Sequence, residues 1–228
     1  MLTFPNDARA PRGVLATALR RHRLPDLLIE DLLKRTEAWP GYLPNEALAC
    51  ALAGRMKIEA IDFERVSGIL LLGPSGAGKS AVAAKIEHTA KSAGRTVARL
   101  GAVEGLALFR ERRPEALTVM EAEGFNPLNA RAATAFSSLG SIADVDAIGV
   151  VSALADAEDV GDLVAALRLK RVIVTGMDRT RRLGAAVAAV TSGARLAHVT
   201  YGPHPDDPLE TLEPGALAQM LLESEPAD

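Results

Sequence analysis

The chain has 228 residues, 48% of them hydrophobic and 24% charged, an ordinary soluble globular composition with enough length to bury a substantial core. A formal net charge of −3 gives no overall pull towards nucleic acid or anionic lipid. No apolar run approaches the roughly 20 residues of a membrane span, residues 1–7 carry no leader pattern, and the single cysteine, Cys50, excludes an intramolecular disulfide and a cysteine-rich zinc site; the expected compartment is the cytoplasm.

Up to about residue 66 the pattern is helical. A helix is expected over 12–22. Leu24-Pro25-Asp26 opens a second, because Pro25 suits a first helical turn and Leu28, Leu32 and Leu33 recur at helical spacing. Pro40, Gly41 and Pro44 break the chain, and Asn45 is placed as the cap of a third helix over 46–56. Leu15, Leu19, Leu28 and Leu32 read as core, and Trp39 and Tyr42 as a pin between the helices. From residue 67 onward, short apolar runs alternate with helical patterns, the signature of a parallel sheet covered on both faces. Strands are expected over 69–72, 96–100, 116–120, 147–151, 172–175 and 196–200. Helices are expected over 80–93, 103–111, 130–138, 160–167, 182–190 and 215–223.

Between the first of these strands and its helix stands Gly73-Pro74-Ser75-Gly76-Ala77-Gly78-Lys79-Ser80. A loop that points several backbone N–H groups at one anion needs glycines, since side chains would obstruct the approach. Gly73 leaves the strand, Gly76 and Gly78 allow the wrap, Lys79 reaches the β- and γ-phosphates, and Ser80 offers a hydroxyl to Mg²⁺. Gly73, Ser75, Gly76, Ala77, Gly78, Lys79, Ser80 and Ala81 are therefore the expected phosphate contacts. The bland alternative, a glycine-rich turn that binds nothing, fits this strand–loop–helix setting less well. The fold class is α/β: a P-loop NTPase with a parallel β-sheet flanked by helices (67–228), preceded by a small helical N-terminal domain (1–66). Lys79 is expected to point into an open crevice at the carboxyl ends of the strands, in one pocket with Gly76, Gly78 and Ser80.

A P-loop needs an acid at the end of a neighbouring strand to hold Mg²⁺ through water. Glu121 follows the strand over 116–120 and is the first choice, with Glu123 second; the alternative is a pair of surface loop carboxylates. The strand over 147–151 ends in Ser152-Ala153-Leu154, which supplies no acid. After the strand over 172–175 comes Gly176-Met177-Asp178. The Asp178 carboxylate can accept both N–H donors on the edge of guanine, although a helix N-cap is the alternative use of an aspartate there.

Taken together these segments resemble the SRP-type GTPases: the signal-recognition-particle GTPase, its membrane receptor and the flagellar-placement GTPase. Their P-loop is similar to residues 73–80, and their Thr-Lys-x-Asp guanine motif to Thr175-Gly176-Met177-Asp178, followed by Arg182-Leu183-Gly184. Arg99-Leu100-Gly101-Ala102-Val103-Glu104-Gly105-Leu106 is similar to their Arg-x-x-Ala-Val-Glu-Gln-Leu element, and Glu121-Ala122-Glu123-Gly124 falls on their Asp-Thr-Ala-Gly switch. The closing stretch over 196–222 is similar to the flagellar branch. Three positions depart from the pattern. Gly176 stands where the family stacks a lysine on the base, Glu121 replaces the switch aspartate, and only Arg99 remains of an Asp-Thr-(Phe/Tyr)-Arg element.

The resemblance implies GTP/GDP and Mg²⁺ as cofactors, Ser80 and Glu121 as metal ligands, Thr175 and Asp178 at the base, and Lys79, Glu121 and Arg99 as the catalytic groups. It implies a switch acting in protein targeting or flagellar assembly, with hydrolysis slowed or lost by the departures. Its output would be a protein partner, or a homodimer through the nucleotide face, with no direct nucleic-acid contact and membrane contact only through partners. Two other readings stand beside it: a catalytically inactive interaction module, and a small-molecule or nucleotide kinase. The P-loop spelling suits a kinase; the lack of an Arg-rich lid segment argues against one.

Overall fold

The computed structural model describes residues 12–111, 115–124 and 145–223, so the helix expected over 130–138 lies outside the described residues. Strands β1 (Gly68–Leu72), β2 (Val97–Gly101), β3 (Leu117–Glu121), β4 (Val145–Ser152), β5 (Arg171–Thr175) and β6 (Arg195–Thr200) fall where the apolar runs place them and lie parallel. Every residue of β1, Gly-Ile-Leu-Leu-Leu, is buried, as a strand covered on both faces requires. The sheet order β2-β3-β1-β4-β5-β6-β7 sets β1 inside the sheet, between β3 and β4. The short β7 (Leu209–Glu210), antiparallel to β6, was not among the expected strands, because two residues carry no period-two pattern.

The period of two sorts the strand side chains into two layers. Ile69, Leu71, Val119, Val150 and Ile173 pack with helix α4 (Lys79–Ser92), whose Val82, Ile86 and Ala90 repeat every four residues. Leu70, Leu72, Met120, Val172 and Val174 pack in the opposite layer with α5 (Ala102–Glu111), α6 (Ala157–Ala166) and α7 (Gly184–Thr191). The Asp156 carboxylate starts α6 by accepting the Glu158 backbone N–H at 2.8 Å. The chain closes with α8 (Pro214–Leu222).

The N-terminal helices α1 (Arg12–Arg21), α2 (Asp26–Thr36) and α3 (Pro44–Ala53) join that second layer. Leu15, Leu19 and Leu32 are buried and Leu28 partly so, and α3 packs on α8. Asn45 is not the cap of α3. The cap position is Leu43, Pro44 pre-sets the first turn, and the Glu46 carboxylate reaches back to the Leu43 N–H at 3.0 Å. Trp39 and Tyr42 meet edge-to-face, 5.4 Å apart and 40% and 44% exposed, and line a cleft with Leu15 of α1, Leu33 of α2 and Ala47 of α3.

Polar contacts fix how these helices sit on the sheet. Buried His22 accepts the Leu183 N–H at Nδ1 (3.2 Å), so its Nε2–H donates to Leu221 O (3.1 Å). A Cβ on Gly184 would stand 2.5 Å from His22 O, which explains the glycine of the Arg182-Leu183-Gly184 stretch as a close approach to α1's exit. Arg21 and Arg55 donate to Glu223 O (2.6 Å) and Thr191 O (2.9 Å), carbonyls at the ends of α8 and α7.

The segment from α3 to β1 runs along the start of β6. Glu59 N donates to Leu196 O, Leu196 N to Lys57 O, and Ile61 N to His198 Nε2 (2.9, 2.7 and 3.2 Å). His198 stacks on Phe63, and burial pushes its pKa below the ordinary 6.5; the nearby Glu210 backbone opposes this and the Arg171 charge assists it. A lowered folded-state pKa means that the unfolded chain takes up the proton first. Stability is therefore expected to hold above about pH 6.5 and to fall as the pH drops below it. Denaturant titrations at pH 8 and pH 5.5 check this: His198→Gln, which keeps an acceptor but no titration, should flatten the acid loss. An identical loss in the variant would contradict it.

Candidate functional site

The carboxyl ends of β1, β3 and β5 meet at the loop between β1 and α4. Gly76 and Gly78 take left-handed backbone angles there, φ +77° and +93°, and Gly78 holds the cap position of α4. This is the turn that the spacing of glycines in residues 73–80 predicts, and it aims the first N–H groups of α4 into the loop.

Lys79 differs from expectation. Its ammonium does not extend into an open crevice; it donates to Gly73 O (2.9 Å) and Pro74 O (2.8 Å), and the residue is 9% exposed. The reason is proximity: these carbonyls directly follow β1 and sit within reach of the first residue of α4. Burial pulls the Lys79 pKa down and the charge of Glu121 opposes that pull.

Ser80, beside Lys79, donates its hydroxyl to Glu121 Oε2 at 2.7 Å. Glu121 ends β3, and its other oxygen accepts from Arg99 on β2 at 2.6 Å. Arg99 also lies 3.6 Å from Glu87 of α4. Burial pushes the Glu121 carboxyl up, but hydrogen bonds from Ser80 and Arg99, with the charges of Arg99 and Lys79, outweigh it and hold it below its usual value. Three candidates far apart in sequence, Ser80, Arg99 and Glu121, thus form one chain of contacts. Glu123, the second choice, is exposed on the loop beyond.

The loop after Glu121 comes back onto residues 73–80: a Cβ on Gly124 would stand 2.3 Å from Ser75 Oγ. On the other side, buried Thr175 at the end of β5 donates to Ala77 O at 2.7 Å and is in contact range of Gly78. Asp178 sits in a 3-10 turn (Met177–Arg179), exposed. It caps neither this turn nor α7, whose cap positions are Gly176 and Leu183, so the capping alternative fails. Ala81 is exposed in the first turn of α4.

A pocket of about 410 Å³ opens between the loop and α6, lined by Ser75, Gly76, Val151, Leu154, Asp159 and Arg179 among others. Gly76 lines it as expected, but Gly78, Lys79 and Ser80 do not. Lys79 is turned onto its own loop and Ser80 onto Glu121. Sequence reasoning placed Gly124 only as the last residue of the switch-like stretch and did not single out Lys85. The signal for Lys85 was present: a lysine three residues after Val82, on the apolar stripe of α4.

An Mg²⁺ ion takes hard oxygen donors, and a serine hydroxyl with an ionised carboxylate 2.7 Å apart is such a donor set. The residues fit that ion.

No protein-family model matches the sequence, and no curated protein matches it either. Solved structures do. FlhF complexed with GTP/Mg²⁺ superposes with a TM-score of 0.73 and 17% identity, over 94% of this chain and 100% of that one. FlhF with GMPPNP/Mg²⁺ gives 0.72 and 19%, over 93% and 98%. The cell division protein FtsY from Thermotoga maritima gives 0.68 and 17%, over 93% and 88%. The chain has the fold of these SRP-type GTPases, a P-loop NTPase fold, at low sequence identity.

Proposed function

We propose that this chain is a guanine-nucleotide-binding switch of the SRP-GTPase kind, with slow or lost intrinsic hydrolysis, whose output is a protein partner. The observation that carries the reading is the junction at Glu121, which joins Ser80 on the P-loop helix to Arg99 on β2. A hydroxyl on the P-loop helix and an acid at the end of a strand, 41 residues apart in sequence, are what a nucleotide–metal site requires, and a glycine-rich turn without a ligand requires neither. FlhF solved with GTP/Mg²⁺ supports the choice of ligand.

In this reading the backbone of residues 73–81 cradles the phosphates, and Lys79 leaves Gly73 O and Pro74 O to meet them. Ser80 and Glu121 would hold Mg²⁺, which supplies charge neutralisation at the phosphate oxygens. Thr175 keeps the loop in place from below, and Asp178 accepts the N–H donors of guanine. Residues 1–66 act as a helical domain reporting on the nucleotide domain, since α1 and α3 pack on α8 and His22, just after α1, bonds Leu183 at the head of α7. Targeting or flagellar assembly is the process that the likeness to FtsY and FlhF suggests.

One observation favours a partner at the nucleotide face. Val103 at the start of α5 and Leu154 after β4 are 88% and 50% exposed, both at the carboxyl edge of the sheet. A second copy or a protein partner seated there would cover them. Among the described residues no helix is long and apolar enough to cross a membrane.

Asp178→Asn tests the base assignment. It should weaken GTP binding about tenfold or more, because one N–H donor of guanine then meets an amide N–H₂, and leave ATP binding nearly unchanged. Competition against a fluorescent nucleotide measures both. Equal losses for GTP and ATP would sink the assignment.

A further inference from the structure

The turn that carries Asp178 also carries an arginine with nothing to hold. Residues 177–179 form a 3-10 turn, closed by the Arg179 N–H donating to Gly176 O at 3.1 Å. In such a turn the side chains of residues i and i+3 eclipse, so position 179 stands over position 176. The glycine leaves that place open. Among the described residues, a Cβ on Gly176 would meet Arg179 Cδ, at 3.8 Å, and no other heavy atom within 4 Å. The Arg179 stem therefore occupies the space that a side chain at 176 would enter.

The head of Arg179 is uncommitted. Arg55, Arg99 and Arg171 are each held by carbonyls or carboxylates. Among the described residues no such group holds the exposed Arg179 guanidinium, not even Asp159, which reaches the same pocket from α6. A solvated surface arginine is the ordinary alternative. What argues against it is position: Arg179 lines the 410 Å³ pocket with Ser75, Gly76 and Ala77 of the phosphate loop and with Ser152 at the end of β4. It stands between the turn that follows β5 and the loop that follows β1. Thr175 ties those two together by donating to Ala77 O at 2.7 Å, so the gap that Arg179 spans is fixed.

A nucleotide with its phosphates on residues 73–81 and its base edge on Asp178 has to cross that gap. The face of its base then lies beside the residue next to Asp178. A guanidinium is planar, delocalised and weakly hydrated, and it stacks on ring faces, whereas an ammonium acts as a point charge. The phosphates have their own cation in Lys79, at the head of α4.

We propose that Arg179 stacks on the base: its guanidinium covers the face of the purine whose edge Asp178 reads, and so supplies from position 179 the cation that position 176 lacks. This rests on the nucleotide reading of the site and adds to it a contact that reading does not contain. Guanine and adenine both offer a ring face, so the contact adds affinity without choosing between them. The choice stays with Asp178.

The experiment separates face from edge, and base from phosphate. Affinities for GTP, ATP and inorganic tripolyphosphate, each with Mg²⁺, are measured for the wild type, Arg179→Ala, Arg179→Lys and Asp178→Asn. Arg179→Ala should lose about tenfold for GTP and ATP alike and keep its tripolyphosphate affinity within about threefold. Arg179→Lys, which restores the charge but not the plane, should recover part of the loss. Asp178→Asn should lose GTP alone. Thermal midpoints equal to wild type are expected for the exposed Arg179 variants and show that the losses are local. A tripolyphosphate loss as large as the GTP loss would put Arg179 on the phosphates; a loss confined to GTP would put it on the base edge; no loss would make it a solvated surface residue. Each of these overturns the inference and leaves the site reading intact. A wild type that binds GTP no more tightly than tripolyphosphate overturns the nucleotide reading, and this inference with it.

Discussion

Replacing Lys79 with alanine is expected to lower affinity for GTP at least a hundredfold, roughly 3 kcal/mol. Lys79 is the cation at the head of α4, held between Gly73 O and Pro74 O at 2.9 and 2.8 Å, and so waits at the point where the loop N–H groups converge. Burial lowers its pKa, and the neighbouring Glu121 charge offsets part of that, so the charge kept there is matched to an incoming anion. Its loss removes the positive charge at the head of α4 and leaves Glu121 facing the phosphates with less to balance it. Lys79→Arg should not rescue, because a planar fork does not fit where a point charge sits between two carbonyls. Isothermal titration with thermal unfolding as a control measures the effect. An alanine variant within threefold of wild type would show that the loop is a structural turn.

Hydrolysis by the chain alone should be slow, on the order of minutes or longer per turnover, and a partner should accelerate it by up to about 10³–10⁵. Phosphoryl transfer is catalysed by positioning and charge, so what matters is which groups are free to orient water and neutralise the γ-phosphate. Arg99 is the remaining candidate arginine, and it is already engaged by Glu121 at 2.6 Å and by Glu87 at 3.6 Å. The Glu121 carboxylate is itself shared with Ser80. At the end of β4, where a second acid would serve, Ser152 Oγ accepts the Leu154 N–H at 3.2 Å. An arginine supplied in trans across the face that exposes Val103 and Leu154 would fill the gap. Single-turnover assays with purified protein measure the rate. Hydrolysis within seconds, without a partner, would contradict this account.

The parallel strands and the P-loop were legible because their signals are local. The Gly-Ile-Leu-Leu-Leu run of β1 and the glycines at 76 and 78 need no knowledge of the rest of the chain to be read. The place of Glu121 at the end of β3 was legible too, because the apolar run before it marks the strand. What the sequence did not carry was pairing across distance. The bond from Ser80 to Glu121 spans 41 residues, His22 to Leu183 spans 161, and Lys85 to His204 spans 119. No periodicity links such positions. The cap of α3 failed for a different reason: Asn45 has the higher capping preference, but Pro44 before it fixes the first turn, and the helix starts there. Asp178 lay between, since its type allows both a cap and a base contact, and only the backbone showed that it caps nothing.

The central claim is that residues 73–80, with Glu121 and Asp178, form a guanine-nucleotide site. Calorimetric titration of the purified chain with GTP, GDP and ATP, each with and without Mg²⁺, tests it directly. GTP and GDP should bind saturably and ATP modestly more weakly, given Gly176 in the base motif. GTP affinity should fall when Mg²⁺ is withheld. No heat with any nucleotide, or ATP bound as tightly as GTP, would contradict it.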